Sequence, residues 1–215
     1  MIGKGKSISH GVAALEYDLA KEINGQAVAT EIARHELYGC TGAEMVQEMK
    51  PYHIDFPNVK NNCLRFEVSP SIEESATFTD ADWAELGNDF MQRMGLANHQ
   101  YIIIRHSGTE SKKEQAHLHI LANRVSLSGE LYRDNWIGKK ATEAANAIAK
   151  ERNFVQSQDI GKANKAEIKE AMDGVLKKMQ GFDFTKFKEE LGKRGFKVRE
   201  ARASTGKLNG YYVTA

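Results

Sequence analysis

The chain has 215 residues, with 30 Lys+Arg against 29 Asp+Glu and a net charge of +1. That length suits one substantial domain with at most a small appendage, and so even a charge balance excludes a simple nucleic-acid coat. Sparse cysteines without metal-type spacing (Cys40, Cys63), a polar start Met-Ile-Gly-Lys-Gly-Lys and no apolar run near the ~20 residues of a membrane span argue for a soluble, cytoplasmic protein without membrane insertion.

In chain order, Val12, Leu15, Leu19 and Ile23 recur at helical spacing and predict a helix from Ser9, its candidate N-cap, to about Ile23. Tyr17 lies off that stripe. Residues 24–62 are broken by Gly25, Gly39, Gly42, Pro51 and Pro57, with a helix expected over 42–49 and an irregular passage around His53 and Asp55. Cys63 to Ser69 alternates, Leu64, Phe66 and Val68 on one face and Arg65, Glu67 and Ser69 on the other, as a half-buried strand does. Thr79 caps a helix with the stripe Trp83, Leu86, Phe90 and Met94, ended by Gly95. Runs 99–105 and 116–125 predict two longer strands. Helices are expected over 138–152, 159–179 and 185–192, then short strands over 196–199 and 210–213 joined by a flexible Ser204–Gly210 segment.

The stretch Ala116-His117-Leu118-His119-Ile120 carries the most chemistry. On a strand, the period of two turns both imidazoles to one face while Leu118 and Ile120 enter the core. His106 ends the preceding run, and a hairpin through 107–115 would fold it back beside the pair. Three neutral imidazoles suit one divalent ion with positions left open for substrate. Asn123 shares the face by parity.

His106, the stretch 116–120 and Asn123-Arg124-Val125 resemble the third motif of plasmid and mobile-element mobilisation relaxases, the tyrosine nucleases of the HUH endonuclease superfamily. Gly3-Lys4-Gly5-Lys6-Ser7-Ile8-Ser9 with Ala13-Ala14-Leu15-Glu16-Tyr17 resembles their first motif, which carries the nucleophilic tyrosine. Leu64 to Pro70 resembles the second-motif strand, and Thr79 to Leu96 the helix after it. The family often has an acid two positions after the first histidine; here that position is Gly108, with Glu110 and Glu114 as substitutes. The resemblance implies an α+β domain with a central antiparallel sheet, the histidine triad on one face and helices packed on the other.

It also implies strand- and site-specific nicking at a transfer origin. Tyr17 would attack phosphorus and form a 5′-phosphotyrosine, keeping the bond energy for rejoining. His106, His117 and His119 would hold one divalent metal ion, Mn²⁺, Mg²⁺ or another transition metal, to polarise the phosphate. A phenol with pKa near ~10 needs a proton acceptor, for which Glu67 and Asp18 compete, and Asn123 is a further catalytic candidate. Tyr38 and Tyr52 are alternative nucleophiles.

Charge divides unevenly: residues 1–137 carry about −6 and residues 138–215 about +7. We therefore expect a catalytic core over 1–137 and a basic segment over 138–215 that completes the same domain. Lys4, Lys6, Arg124, Lys162, Lys165, Lys169, Lys177, Lys178 and Arg202 are the candidate DNA contacts. The expected partners are single-stranded origin DNA or an adjoining hairpin, with accessory mobilisation proteins and a coupling protein implied by the resemblance. The end at Val213-Thr214-Ala215 reads as a cut from a longer protein. Two other readings stand beside this one: a non-catalytic DNA-binding module of the same fold, and a metal-dependent nuclease that uses water.

Overall fold

Apolar residues crowd both sides of the histidine-bearing strand, so both faces of its sheet must be covered. A computed structural model describes residues 1–108 and 115–214. Their order is β1 (Ile2–Ile8), α1 (Gly11–Leu19), β2 (Glu22–Ile23), β3 (Gln26–Ala27), β4 (Ala29–His35), α2 (Gly42–Met49), a 3-10 turn (Lys50–His53), β5 (Cys63–Ser69), α3 (Ile72–Ser75), α4 (Asp80–Arg93), β6 (His99–His106) and β7 (His117–Ser126). There follow α5 (Ile137–Glu151), α6 (Ser157–Leu176), α7 (Phe184–Gly192), β8 (Lys197–Arg202) and β9 (Leu208–Thr214).

Among the described residues, five strands form an antiparallel sheet in the order β1-β5-β7-β6-β4. The architecture is the expected α+β one. On one face, Phe66, Val68, Ile103, Leu118 and Ile120 share a core with Trp83, Leu86 and Phe90 of α4 and Ala141, Ala145 and Ile148 of α5. Each large aliphatic or phenylalanine side chain among these, fully buried, contributes roughly 1.5–3 kcal/mol. The histidine face carries helices as well. Cys63, Ile102, Ile104 and Leu121 pack there with Leu15 of α1 and Met45, Val46 and Met49 of α2. The triad is confined to the end of this face where β6 stops and β7 starts.

The two outer strands escaped the sequence reading. β1 is the Gly-Lys-Gly-Lys run, whose glycines serve close packing: a Cβ on Gly3 would lie 2.4 Å from the Ala141 carbonyl oxygen, and one on Gly5 2.8 Å from the Phe66 ring. Alternation sends Lys4 and Lys6 to the opposite, histidine-bearing face. β4 carries a register shift between Glu31 and Ala33. α1 is shorter than the Ser9–Ile23 expected; His10, without a side-chain cap, precedes it, and Glu22–Ile23 leaves the helix to pair with Gln26–Ala27. Asn24 and Gly25, both at positive φ, make that hairpin turn, for which Asn-Gly is the favoured pair. α4 starts at Thr79 as expected, whose hydroxyl accepts from the Asp82 amide while Asp82 accepts from the Thr79 amide.

The described residues form two compact units, Met1–Ser157 and Gln158–Ala215. Charge changes sign near 137/138, but α5 belongs to the first unit because its small residues lie on Gly3 and Gly5 of β1. The second unit gathers Ala171, Val175, Phe187, Leu191, Phe196 and Val198 into its own core. No described helix is long and apolar enough to cross a membrane.

Candidate metal centre

Strand register builds the triad. His106 pairs directly with His117 across β6 and β7, and two residues on, His119 pairs with Glu67 of β5. The three imidazoles each offer a nitrogen, and these atoms lie within 4.8 Å of one another. Ring centroids are 4.4 Å apart for His106 and His119, 4.9 Å for His117 and His119, and 5.3 Å for His106 and His117. Nε2 of His117 and Nε2 of His119 are 3.1 Å apart. Two nitrogens bound to one ion at ~2.1 Å would be separated by roughly 3.0–3.4 Å, so the pair fits a shared ion.

Electrostatics favour the neutral, ligating form. Burial, then the neighbouring His106 and His117, pushes His119 down to about 2, and burial likewise lowers His106. His117 donates Nδ1–H to the Gln115 carbonyl at 3.0 Å, which turns its Nε2 toward His119, and His106 donates Nε2–H to the main-chain oxygen of Asp18 at 2.7 Å.

Asp18, on the last turn of α1, is the residue whose full part sequence reasoning missed. It is 2% exposed. Its carboxylate accepts from Arg65 twice, Nε at 3.1 Å and Nη2 at 2.5 Å, and its Oδ1 stands 3.8 Å from His119 Nδ1. Burial raises its carboxyl and Arg65 opposes that rise. Arg65 in turn reaches His119 Nδ1 at 3.3 Å. Strand parity placed Arg65 on the face of Glu67, a signal for its presence here; that the start of the chain would supply a buried carboxylate had no such signal. The candidate acids Glu110 and Glu114 lie outside the described residues.

Tyr17 precedes Asp18 and is 57% exposed. Its phenol oxygen accepts from Lys21 Nζ at 2.8 Å, and that ammonium also stands 4.9 Å from the ring centroid. Glu67 accepts from Lys4 at 2.9 Å. Lys4, Gly5, Lys6, Arg65, Phe66, Glu67 and His119 line a cleft of about 200 Å³. Of the rival tyrosines, Tyr38 is exposed and donates to Glu36.

Asn123 is not brought to the histidines. It shares their face but lies under α2 and the 3-10 turn, fully buried, donating to Gln100 Oε1 at 2.9 Å and the Met49 carbonyl at 3.3 Å and accepting from His53 at 2.6 Å. Arg124 is likewise committed, to the carbonyls of Tyr132 and Asn61 and the carboxylate of Asp134. Lys162, Lys165, Lys169, Lys177, Lys178 and Arg202 all belong to the second unit, where Lys162 pairs with Asp159 and Arg202 with Glu200.

Residues 17–154 match the family described as relaxase, MobA/VirD2-like, nuclease domain. No curated protein sequence matches the chain. Among solved structures there is a similarity to the conjugative relaxase TrwC in complex with oriT DNA, metal-bound (11% identity, TM-score 0.40) and metal-free (10%, 0.42), each alignment covering 96% of this chain and 74% of that one. The family match spans more than half of the chain and takes in Tyr17, Glu67 and all three histidines, so this chain belongs to the MobA/VirD2-like relaxases through its nuclease domain.

Proposed function

We propose that this relaxase nicks one strand at the transfer origin of a mobile element and later reseals it, with Tyr17 as nucleophile. The carrying observation is the cluster of three imidazoles within 4.8 Å, tied by Asp18 to the helix that bears Tyr17. The Tyr17 oxygen attacks phosphorus, the bond to the 3′-oxygen breaks, and the 5′-phosphate stays on the protein as a tyrosyl ester. The departing 3′-hydroxyl takes up a proton, and reversal by that hydroxyl restores the strand without an outside energy source.

His106, His117 and His119 would hold one divalent ion, which when bound supplies positive charge to offset that of the reacting phosphate. An all-imidazole set favours Mn²⁺ or a later transition metal over oxygen-seeking Mg²⁺. Lys21 sets a counter-charge at the attacking oxygen. Glu67, in the cleft wall, is the proposed acceptor of the phenol proton, since both oxygens of Asp18 are engaged by Arg65. Lys4 and Lys6 of the same cleft would pair with the DNA backbone, and the lysines of the second unit with flanking single strand or hairpin. Accessory mobilisation proteins and a coupling protein complete the proposed setting, the bacterial cytoplasm.

A denaturing gel of labelled single-stranded origin oligonucleotide tests this. Wild type should give about one covalent adduct per active site, the Tyr38→Phe variant the same, and Tyr17→Phe none while still binding DNA. An adduct from Tyr17→Phe would exclude this nucleophile. Cleavage without any adduct would favour attack by water, and binding without cleavage a non-catalytic module.

A further inference from the structure

Trp136 holds an unusual place for a tryptophan. It is 80% exposed, whereas Trp83, the other tryptophan of the chain, is 2% exposed in the core. The Ile137 amide donates to the Asp134 carbonyl at 3.1 Å and closes a four-residue turn whose third position is Trp136, at φ 59° and ψ 28°. Such a position ordinarily takes glycine or asparagine, because a side chain there crowds the main chain. Among the described residues no cation, ring or hydrogen-bonding group meets the indole, so neither burial nor a contact within the chain offsets the backbone conformation. The turn is nevertheless fixed at both ends: Arg124 of β7 donates to the Asp134 carboxylate at 2.6 Å, and Ile137 is buried in the core shared by α4 and α5. It therefore holds the ring in solvent at one place.

α5 starts immediately after the turn and lies along β1: a Cβ on Gly138 would lie 3.5 Å from the Gly5 carbonyl oxygen, and the Thr142 hydroxyl donates to the Gly3 carbonyl at 3.1 Å. Trp136 thus stands at the β1 border of the sheet, beside the strand whose Lys4, Gly5 and Lys6 line the cleft that reaches His119. Positive charge prevails around it. Arg133 and Lys139 are exposed, Lys139 meets Glu143 only at 3.7 Å, and Asp134 is neutralised by Arg124. We propose that Trp136 is a stacking platform for one base of the single-stranded DNA that runs from the cleft across β1, with Arg133 and Lys139 meeting the adjacent phosphates. The inference rests on the reading of this chain as a nuclease of single-stranded DNA. An aromatic face among cations holds a single strand without reading its sequence, since every base has a face and every phosphate a charge. A protein partner suits the place less well: an aromatic anchor in a protein interface lies within a ring of groups that keep water out, and Arg133, Asn135 and Lys139 are exposed and hydrophilic.

The experiment titrates the Tyr17→Phe protein, which forms no adduct, with a thymidine oligonucleotide of about 12 nucleotides and with an abasic strand of the same length, reading tryptophan fluorescence and the anisotropy of labelled strand. The thymidine strand should quench the exposed indole and the abasic strand should not; Trp136→Phe, which retains only the buried Trp83, gives the background. Trp136→Ala should weaken thymidine binding roughly 5- to 150-fold and leave abasic binding unchanged, while Trp136→Phe keeps most of the affinity. Trp136→Gly suits the left-handed turn, so it should raise the urea midpoint of unfolding while lowering thymidine affinity as far as Ala does. A ring kept for the fold would do the opposite, with a lower midpoint and unchanged affinity. An unquenched indole, an equal loss on the abasic strand, or thymidine affinity unchanged in the Ala and Gly variants would overturn the proposal and leave the ring to a protein partner. Failure of the Tyr17→Phe protein to bind either strand would overturn it together with the single-strand reading, whereas the adduct gel tests the nucleophile alone.

Discussion

Two buried polar clusters share one face of the sheet, and they differ in what their hydrogen bonds leave undone. Around Asn123, every bond joins a donor to a fixed acceptor: His53 to its Oδ1, its amide to Gln100 and the Met49 carbonyl, the Val125 amide back to Oδ1. Around His119, two like nitrogens face each other at 3.1 Å, and Arg65 and Asp18 both stand at the third. The first arrangement has one solution. The second leaves two ring nitrogens facing one another, the arrangement that ligands around one ion take. Burial and parity do not distinguish a structural cluster from a ligand site on one strand; what the polar atoms face does.

The sharpest way to break this comparison is to delete a ligand. His117→Ala or His119→Ala should abolish Mn²⁺ binding by calorimetry and reduce nicking by more than ~100-fold, with the fold intact by circular dichroism. Unchanged affinity would reduce the triad to a polar cluster like its neighbour. Asn123→Ala should do the reverse: stability falling by about 2–3 kcal/mol in urea unfolding as His53 and Gln100 lose their partner, with Mn²⁺ affinity in the folded fraction unchanged.

Acid should also act on the triad. His119 is held at about 2 in the folded protein, below the ordinary ~6.5 of an unfolded histidine, so the unfolded chain takes up the proton first. Its contribution is fully present above pH ~6.5 and falls by roughly 1.4 kcal/mol per pH unit below that. Urea unfolding between pH 7 and 5.5 should show this slope, and His119→Phe should flatten it by about one proton's worth. The smallest effect concerns the second unit: replacing Lys169, Lys177 and Lys178 by Gln should flatten the salt dependence of single-strand binding without altering the adduct yield. An unchanged slope would return these lysines to an ordinary solvated surface.

The triad was legible because its physics is local: an H-x-H doublet on a strand converges by geometry alone, and the register of one hairpin adds His106. Helices α4, α5 and α7 were legible for the same reason, since their stripes repeat over several turns. The outer strands were not. β1 hides behind glycines that are there for contact with α5, and β4 is half-buried without clean alternation. Parity also promoted Asn123, because it reports the face of a sheet and not the position along it. Asp18 lies far from the histidines in the chain, and only the folded packing of α1 on β5 and β6 brings its oxygens to Arg65 and His106.

The two borders of the sheet bear on how this protein behaves at high concentration. An unpaired strand is a template for another molecule's strand, and here each border discourages that recruitment. β1 carries Lys4 and Lys6, both exposed, along a backbone weakened for pairing by two glycines, and β4 is bent out of register between Glu31 and Ala33, flanked by the charged Arg34. Strand-to-strand aggregation through this sheet is therefore disfavoured at both ends, and the lysines that would meet phosphate in the cleft also keep neighbouring molecules from extending the sheet.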